Sequence, residues 1–130
     1  MSFEPISTQD EQIATAIVNA AYLVHKALGP GLLESVYEIC LAHELRKLGL
    51  EVRRQEPVPI VYDNLRFQEG FRYDLLVAER VLCEIKAVQE VHPVCMAQLL
   101  TYLKLMDLRL GFVINFHAQL IKDGNKRVVR

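Results

Sequence analysis

The chain has 130 residues, of which 52% are hydrophobic and 24% are charged, and its formal net charge is −1. This length and apolar content suffice for a single compact domain over residues 1–130 with a substantial core. The near-zero charge excludes a global basic field, so any binding of polyanions must depend on a local patch or a bound metal. No apolar run reaches the roughly 18 residues of a membrane span, and the N-terminus lacks a signal-peptide pattern.

The three cysteines, Cys40, Cys83 and Cys95, are widely spaced, lie in apolar segments and form no C-x-x-C pair. Such usage predicts buried free thiols in a reducing cytoplasm rather than disulfides or a zinc site. The four histidines are equally scattered and show no metal-ligand spacing among themselves.

Two helices are predicted at the start of the chain. Thr8 begins a capping box, Thr-Gln-Asp-Glu, after which apolar residues repeat at helical spacing over residues 13–28. Gly29-Pro30 stops this helix. A second helix is predicted over residues 31–49.

Three strands are predicted to follow. Residues 51–62 are interpreted as an edge strand, because Pro57 and Pro59 cannot donate to a sheet ladder. After a short turn, residues 65–77 form the second predicted strand, and residues 81–87 form the third.

The rest of the chain adds one helix and two strands. Residues 93–107 are predicted as a helix with proline at its first position, and residues 110–116 as a buried strand. Residues 123–125 turn the chain into a last short strand. The predicted order is ααβββαββ, a mixed α/β (α+β) fold whose central sheet is flanked by helices.

Asp74 and Glu84 are the most informative polar residues, because they lie in strands that are otherwise apolar on both faces. Only residues 78–80 separate the two strands, a length suited to a three-residue hairpin loop. If the residues beside this loop pair, Asp74 lies directly opposite Glu84, where like charges repel. The two-residue period of a strand then places Lys86 on the same face as Glu84.

This trio allows two interpretations. In the first, both carboxylates coordinate a divalent cation that offsets their repulsion, and Lys86 beside them contacts a phosphate. Alternatively, Lys86 forms a structural ion pair with one carboxylate, or the hairpin simply exposes both carboxylates to solvent.

The element order, with the acid on the second strand and Glu84-Ile85-Lys86 on the third, resembles the restriction-endonuclease-like core of the PD-(D/E)XK nuclease superfamily. The segment from Gln98 to Tyr102 looks like the Q-x-x-x-Y motif of its RecB-like exonuclease branch. Gly31-Leu-Leu-Glu-Ser-Val-Tyr37 matches the signature of the GxxExxY protein family, a small bacterial group in this superfamily. On these motifs the chain is identified as a member of that family.

The resemblance implies a nuclease that hydrolyses phosphodiester bonds of DNA or RNA with Mg²⁺ or Mn²⁺. Hard cations of this kind prefer oxygen ligands, and Asp74, Glu84 and the Ile85 carbonyl would supply them. Lys86 would orient or deprotonate the attacking water and stabilise the developing charge. The resemblance makes Glu34 a further metal ligand or a residue that orients one, although an acid in the first turn of a helix is also stabilised by the helix dipole.

The helix after the third strand carries Gln98 and Tyr102 at i, i+4 spacing, so both can point at one spot above the sheet. The resemblance makes Gln98 a partner of a water or phosphate and Tyr102 a partner of a phosphate oxygen. Without it, they form a helix face with one buried tyrosine.

Three further residues are predicted to support the site. Tyr37 is expected in the core with its hydroxyl hydrogen-bonded to the site, and Gly31 opens the signature. His25 has two possible roles: a histidine that is capped or packs in the core, or a ligand. One departure weakens the match, because members of the family often carry His-Glu where this chain has Cys95-Met96.

Three hypotheses remain open: a Mg²⁺-dependent nuclease, a domain that binds nucleic acid or a nucleotide without turnover, and a structural or regulatory partner. The intact set of motif residues favours the first. Because the charge is near neutral, a second subunit or a partner protein is expected to complete the binding surface. Several basic residues are candidate phosphate contacts, although each taken singly could be an ordinary solvated charge: Arg53, Arg54, Arg66, Arg72, Lys104 and the basic residues over 122–130.

Overall fold

The computed structural model describes residues 4–67 and 70–130, and its main feature is a five-stranded sheet with the order β1-β4-β5-β6-β7. Strands β5 and β6 run parallel, and the other neighbours are antiparallel. The elements in chain order are α1 (Thr8–Leu28), α2 (Glu34–Lys47), β1 (Val52–Pro57), β2 (Ile60–Tyr62), β3 (Leu65–Phe67), β4 (Arg72–Val77), β5 (Val81–Lys86), α3 (Val94–Leu105), β6 (Leu110–Asn115), α4 (Ile121–Gly124) and β7 (Asn125–Val129). The predicted mixed sheet flanked by helices is therefore confirmed.

The sheet is covered on both faces, which explains why its central strands are apolar throughout. In β5, Val81, Cys83 and Ile85 belong to the core cluster that contains the buried residues of α1 and α2. Leu82 belongs to a second cluster, together with residues of α3 such as Leu99. Helix α3 packs closely on the sheet at Gly111 of β6. A Cβ atom added at Gly111 would lie only 3.1 Å from a methyl carbon of Leu99.

The start of α1 differs by one residue from the prediction. Ser7, not Thr8, is the N-cap: its backbone is extended, and its Oγ accepts a 3.1 Å hydrogen bond from the amide of Asp10. Thr8 is already helical, so its side chain is not free to cap the first turn.

Helix α2 begins at Glu34 rather than at Gly31, so the predicted start was wrong by three residues. Gly29 and Gly31 have φ values of 71° and 104°, in the region that glycine adopts readily. The Gly-Pro-Gly segment is therefore a loop between the helices, and the signature motif spans this loop and the first turn of α2.

Each of the first two predicted strands is divided. The segment 51–62 gives β1 and β2, because neither Pro57 nor Pro59 can donate a backbone hydrogen bond. The segment 65–77 gives β3 and β4, with residues 68 and 69 outside the described part of the chain. Strands β2 and β3 pair only with each other as a separate two-stranded sheet, while β1 lies at the edge of the main sheet as predicted.

The three cysteines are free thiols, and Cys83 is fully buried while Cys40 and Cys95 are half-buried. In the part of the chain that the structure covers, no helix has both the length and the apolar character needed to cross a membrane.

Candidate metal and phosphate site

Asp74 and Glu84 face each other where β4 and β5 stop pairing through their backbones. Val77 pairs with Val81, as predicted, and the ladder continues only to the pair of Leu75 with Cys83. At the next position the carboxylates take over the hydrogen bonding. Oδ2 of Asp74 accepts a 2.7 Å bond from the amide of Ile85, and the amide of Asp74 donates a longer 3.4 Å bond to Oε1 of Glu84.

Glu84 is deeply buried, with only 6% of its surface exposed. Burial, followed by the negative charge of Asp74, raises the pKa of Glu84 to about 8. A buried carboxylate beside a second carboxylate is unfavourable unless a proton or a cation neutralises the charge, so the pair could hold a positively charged ligand.

Lys86 ends β5, half-buried and on the same face as Glu84 by the strand period. Its charge lowers the pKa of Glu84, though less than burial raises it. None of the ion pairs found within residues 4–67 and 70–130 involves Lys86. The alternative of a structural ion pair with Asp74 or Glu84 is therefore not what the structure shows.

Two residues fix the backbone after β5: Asn115, which ends β6, and Phe116, which follows it. The amide of Phe116 donates a 2.8 Å bond to the carbonyl of Lys86. Asn115, buried at 7% exposure, accepts from the amide of Val88 at 3.1 Å and donates to its carbonyl at 2.8 Å. These contacts define the position from which the Lys86 side chain extends.

Helix α3 places Tyr102 on the face of the sheet that carries the carboxylate pair, in a cluster with Leu76 and Leu82. The residue is 5% exposed, and burial, followed by the charges of Glu84 and Asp74, raises the pKa of Tyr102 to about 12. Its hydroxyl is therefore within electrostatic reach of both carboxylates. Gln98 lies one turn earlier on the same side of α3, half-buried.

A buried acid on α2, Glu38, is linked to the site through Gln55 of β1, and neither residue was predicted as part of the site. Nε2 of Gln55 donates to Oδ1 of Asp74 at 3.0 Å and to Oε1 of Glu38 at 2.7 Å. Arg54 donates to the other oxygen of Glu38 through Nη2 at 2.8 Å and Nε at 3.1 Å. A signal was present, because Glu38 interrupts the apolar stripe of α2 that continues with Leu41.

Arg53, Arg54 and Arg72, predicted as phosphate contacts, are instead engaged within the protein. Arg54 is paired with Glu38, and Arg53 forms ion pairs with Glu51 and Glu79. Nη1 of Arg72 donates to the backbone carbonyl of Gln55 at 3.0 Å.

Glu34, predicted as a further ligand, is the first residue of α2, and its side chain is exposed. Among residues 4–67 and 70–130, no three His, Cys, Asp or Glu residues come together as a metal site, so Glu34 does not join Asp74 and Glu84 here. Its role as a ligand stays a prediction.

Tyr37 is fully buried and stacks on Phe116 at a 4.6 Å ring separation, but its hydroxyl does not reach the carboxylates. The hydroxyl donates to the carbonyl of Gly29 at 2.6 Å and accepts from the amide of Leu32 at 3.0 Å. The predicted hydrogen bond to the site was therefore wrong, because both functions of this hydroxyl are used by the loop that contains Gly31.

His25 is a core histidine in the structure. Its side chain is 9% exposed, and Nε2 lies 2.7 Å from the carbonyl oxygen of Ala118. This contact binds α1 to the segment after β6 and leaves His25 with a packing role.

The donor set at this site suits a hard cation. Mg²⁺ is commonly held by one or two carboxylates and retains several waters, which matches a pair of carboxylates beside a backbone carbonyl. A structural zinc site would need four ligands of the nitrogen or sulfur type. The residues present therefore fit Mg²⁺ or Mn²⁺ and do not fit a structural zinc site.

A family model described as the PD-(D/E)XK nuclease superfamily matches residues 11–128 of the chain. The match runs from within α1 into β7 and includes the carboxylate pair, Lys86 and α3. No curated protein matches the chain. No solved structure matches it either.

Proposed function

The chain belongs to the PD-(D/E)XK nuclease superfamily, and on that premise we propose that it is a metal-dependent nuclease that hydrolyses phosphodiester bonds of DNA or RNA. The observation that carries the proposal is the pair of half-buried Asp74 and buried Glu84 at the end of the β4–β5 ladder. Within the superfamily, the segments 31–37 and 98–102 support the GxxExxY family and the RecB-like branch.

Asp74, Glu84 and the Ile85 carbonyl are the proposed ligands of Mg²⁺ or Mn²⁺. The two polar backbone groups of a strand residue point to the same side, and the Ile85 amide points to Asp74, which supports the carbonyl as the third ligand. When bound, the ion neutralises charge on the phosphoryl oxygens and lowers the pKa of a water.

Lys86 is the proposed catalytic cation. It lies beside the carboxylate pair and forms no ion pair with a described residue, so its ammonium group can orient the attacking water and stabilise the charge that develops on the phosphate. Tyr102 and Gln98 would hold a phosphate oxygen and a water from the α3 side. The raised pKa of Tyr102 keeps its hydroxyl protonated and able to donate.

Cleavage assays with single-stranded, duplex and branched DNA and RNA, in Mg²⁺, Mn²⁺ or EDTA, test this proposal. We expect Lys86→Ala to lower the rate about 10²- to 10⁴-fold, while Lys26→Ala, which changes an exposed lysine late in α1, keeps the parental rate. Cleavage by Lys86→Ala at the parental rate would assign the activity to a contaminant or to another site.

Binding of nucleic acid or a nucleotide without turnover is the second candidate, and the first turn of α3 favours it. Cys95 and Met96 stand where the family often carries His-Glu, and Met96 packs against the core cluster beneath α3. That turn therefore offers thioether and thiol groups instead of a polar pair. Metal-dependent binding of labelled oligonucleotides without cleavage by the parent protein would place this candidate first.

The remaining proposals concern the setting of the protein. Three free thiols support a reducing, cytoplasmic location. The net charge of −1 gives the protein no overall positive field, and Arg53 and Arg54 are paired with acidic residues, which supports a second subunit or a partner protein as part of the nucleic-acid surface.

A further inference from the structure

One nitrogen atom of Gln55 donates hydrogen bonds to two carboxylates that belong to different parts of the molecule. Its Nε2 lies 2.7 Å from Oε1 of Glu38 on α2 and 3.0 Å from Oδ1 of Asp74 on β4. An amide NH₂ group has two protons, so each carboxylate receives one. The amide is thus a direct link between a buried residue of the helix layer and the candidate metal site.

The backbone of Gln55 is strained in a way that makes this link possible. Its φ is +53°, a left-handed value that a residue with a Cβ rarely adopts, and such outliers cluster at functional sites. In a regular strand Arg54 and Gln55 would point to opposite faces, yet both donate to Glu38. The pairs Arg54–Leu75 and Glu56–Tyr73 flank a gap in the β1–β4 ladder at Gln55 and Asp74.

The charges around this link leave Asp74 free to bind a cation. Glu38 is buried at 5% exposure, and its charge is compensated by the guanidinium of Arg54. Gln55 itself is neutral, so it orients Asp74 without reducing the negative charge of the site. With Ile85 on Oδ2 and Gln55 on Oδ1, both oxygens of Asp74 are fixed by donors, and each retains a lone pair.

We propose that Gln55 is a positioning residue for the metal site and that Glu38, held by Arg54, acts through it. The inference rests on the proposed function, in that Asp74 is taken as a metal ligand. Removal of a group that orients a metal ligand typically costs about 10- to 100-fold in metal affinity. We expect a loss of this size when the Gln55 amide is removed.

Calorimetric titration of the purified protein with Mn²⁺ at constant pH tests this, using Gln55→Gly. Glycine adopts the left-handed backbone without strain, so the variant removes the amide without imposing a new backbone conformation. Asp63→Gly is the matched control, because Asp63 also has φ +53° but lies in the exposed turn between β2 and β3. We expect Gln55→Gly to bind Mn²⁺ about 10- to 100-fold more weakly than the parent. Asp63→Gly should bind Mn²⁺ with the parental affinity.

A double-mutant cycle then tests the role of Glu38. Glu38→Gln should weaken Mn²⁺ binding in the parent and have no further effect in the Gln55→Gly background, because its influence is carried by Gln55. Equal effects in both backgrounds would refute the relay from Glu38. Parental Mn²⁺ affinity of Gln55→Gly would refute the positioning role of Gln55.

Asp74→Asn separates these outcomes from a failure of the proposed function. Loss of Mn²⁺ binding in Asp74→Asn, together with parental binding in Gln55→Gly, overturns only the positioning role. Parental Mn²⁺ binding in Asp74→Asn overturns the metal site itself, and the inference with it. Absence of cleavage in the parent protein bears on the nuclease activity alone, since Mn²⁺ affinity is measured without substrate.

Discussion

The amide of Ile85 donates a 2.7 Å hydrogen bond to Oδ2 of Asp74, in place of a backbone bond between β4 and β5. The Asp74 carboxylate thereby supplies a hydrogen bond that the two strands no longer make through their backbones. Its remaining lone pairs stay available for a ligand. The same contact fixes the backbone on which Glu84 and Lys86 lie. The geometry of the site is thus part of the sheet, which favours precise placement of the three charged residues.

Asp74→Asn should remove the stabilisation of the folded protein by Mn²⁺. A ligand that binds only the folded state stabilises it by about 2.7 kcal/mol at a concentration 100 times its Kd, and the variant removes one of the two proposed carboxylate ligands. Thermal melts with EDTA and with millimolar Mn²⁺ measure the difference. We expect an upward shift for the parent and little or none for Asp74→Asn.

Asp63→Asn is the control for this measurement, since Asp63 is exposed and lies in the turn before β3. It should show the parental shift with Mn²⁺. An equal shift in the parent and in Asp74→Asn would place the ion elsewhere on the protein.

The stability of the metal-free protein should fall as the pH rises from about 4.5 through about 8. The pKa of Glu84 is raised to about 8 from an ordinary value of 4.5, so the folded state binds a proton that the unfolded state releases. The contribution of this group is complete below its unfolded pKa and is lost as pH rises through its folded pKa. The loss is on the order of a few kcal/mol.

Urea unfolding in EDTA at several pH values, for the parent and for Glu84→Gln, measures this dependence. Glutamine keeps the shape of the side chain but does not titrate, so the slope over this range should flatten. Glu90→Gln changes an exposed glutamate after β5 and should leave the slope unchanged. A parental slope in Glu84→Gln would assign the pH dependence to another group.

The register that brings Asp74 opposite Glu84 could be predicted from the sequence, because a three-residue loop and a two-residue period leave little freedom. That both faces of the sheet are covered could also be predicted, since strands such as β6 are apolar on both faces. These features depend on local spacing. The roles of the individual site residues remain predictions that the experiments above address.

The link from Glu38 through Gln55 to Asp74 could not be predicted, because it joins residues 17 and 19 positions apart through a backbone that departs from strand geometry. A period of two assigns Arg54 and Gln55 to opposite faces, and only the left-handed φ overrides it. The division of the predicted strand 51–62 was missed for a similar reason. Its prolines indicated an edge but not that the chain would leave the main sheet there.

Lys86→Ala should unfold at nearly the parental temperature and bind Mn²⁺ at least as tightly as the parent. The side chain forms no ion pair among the described residues and is half-buried, so its removal leaves no buried charge without its partner. Removal of a cation beside two carboxylates does not weaken their attraction for Mn²⁺. Differential scanning calorimetry and Mn²⁺ titration measure both quantities, and a large loss of either would reveal a structural role for Lys86.

Tyr37→Phe should lower the free energy of unfolding by about 1–3 kcal/mol and leave Mn²⁺ affinity unchanged. Phenylalanine preserves the stack on Phe116, but the carbonyl of Gly29 and the amide of Leu32 each lose a partner. Tyr62→Phe is the control, because Tyr62 is 74% exposed and should change stability very little. Urea unfolding and Mn²⁺ titration of both variants provide the comparison. A drop in Mn²⁺ affinity for Tyr37→Phe would show that the loop before α2 acts on the metal site, since the hydroxyl itself contacts only that loop.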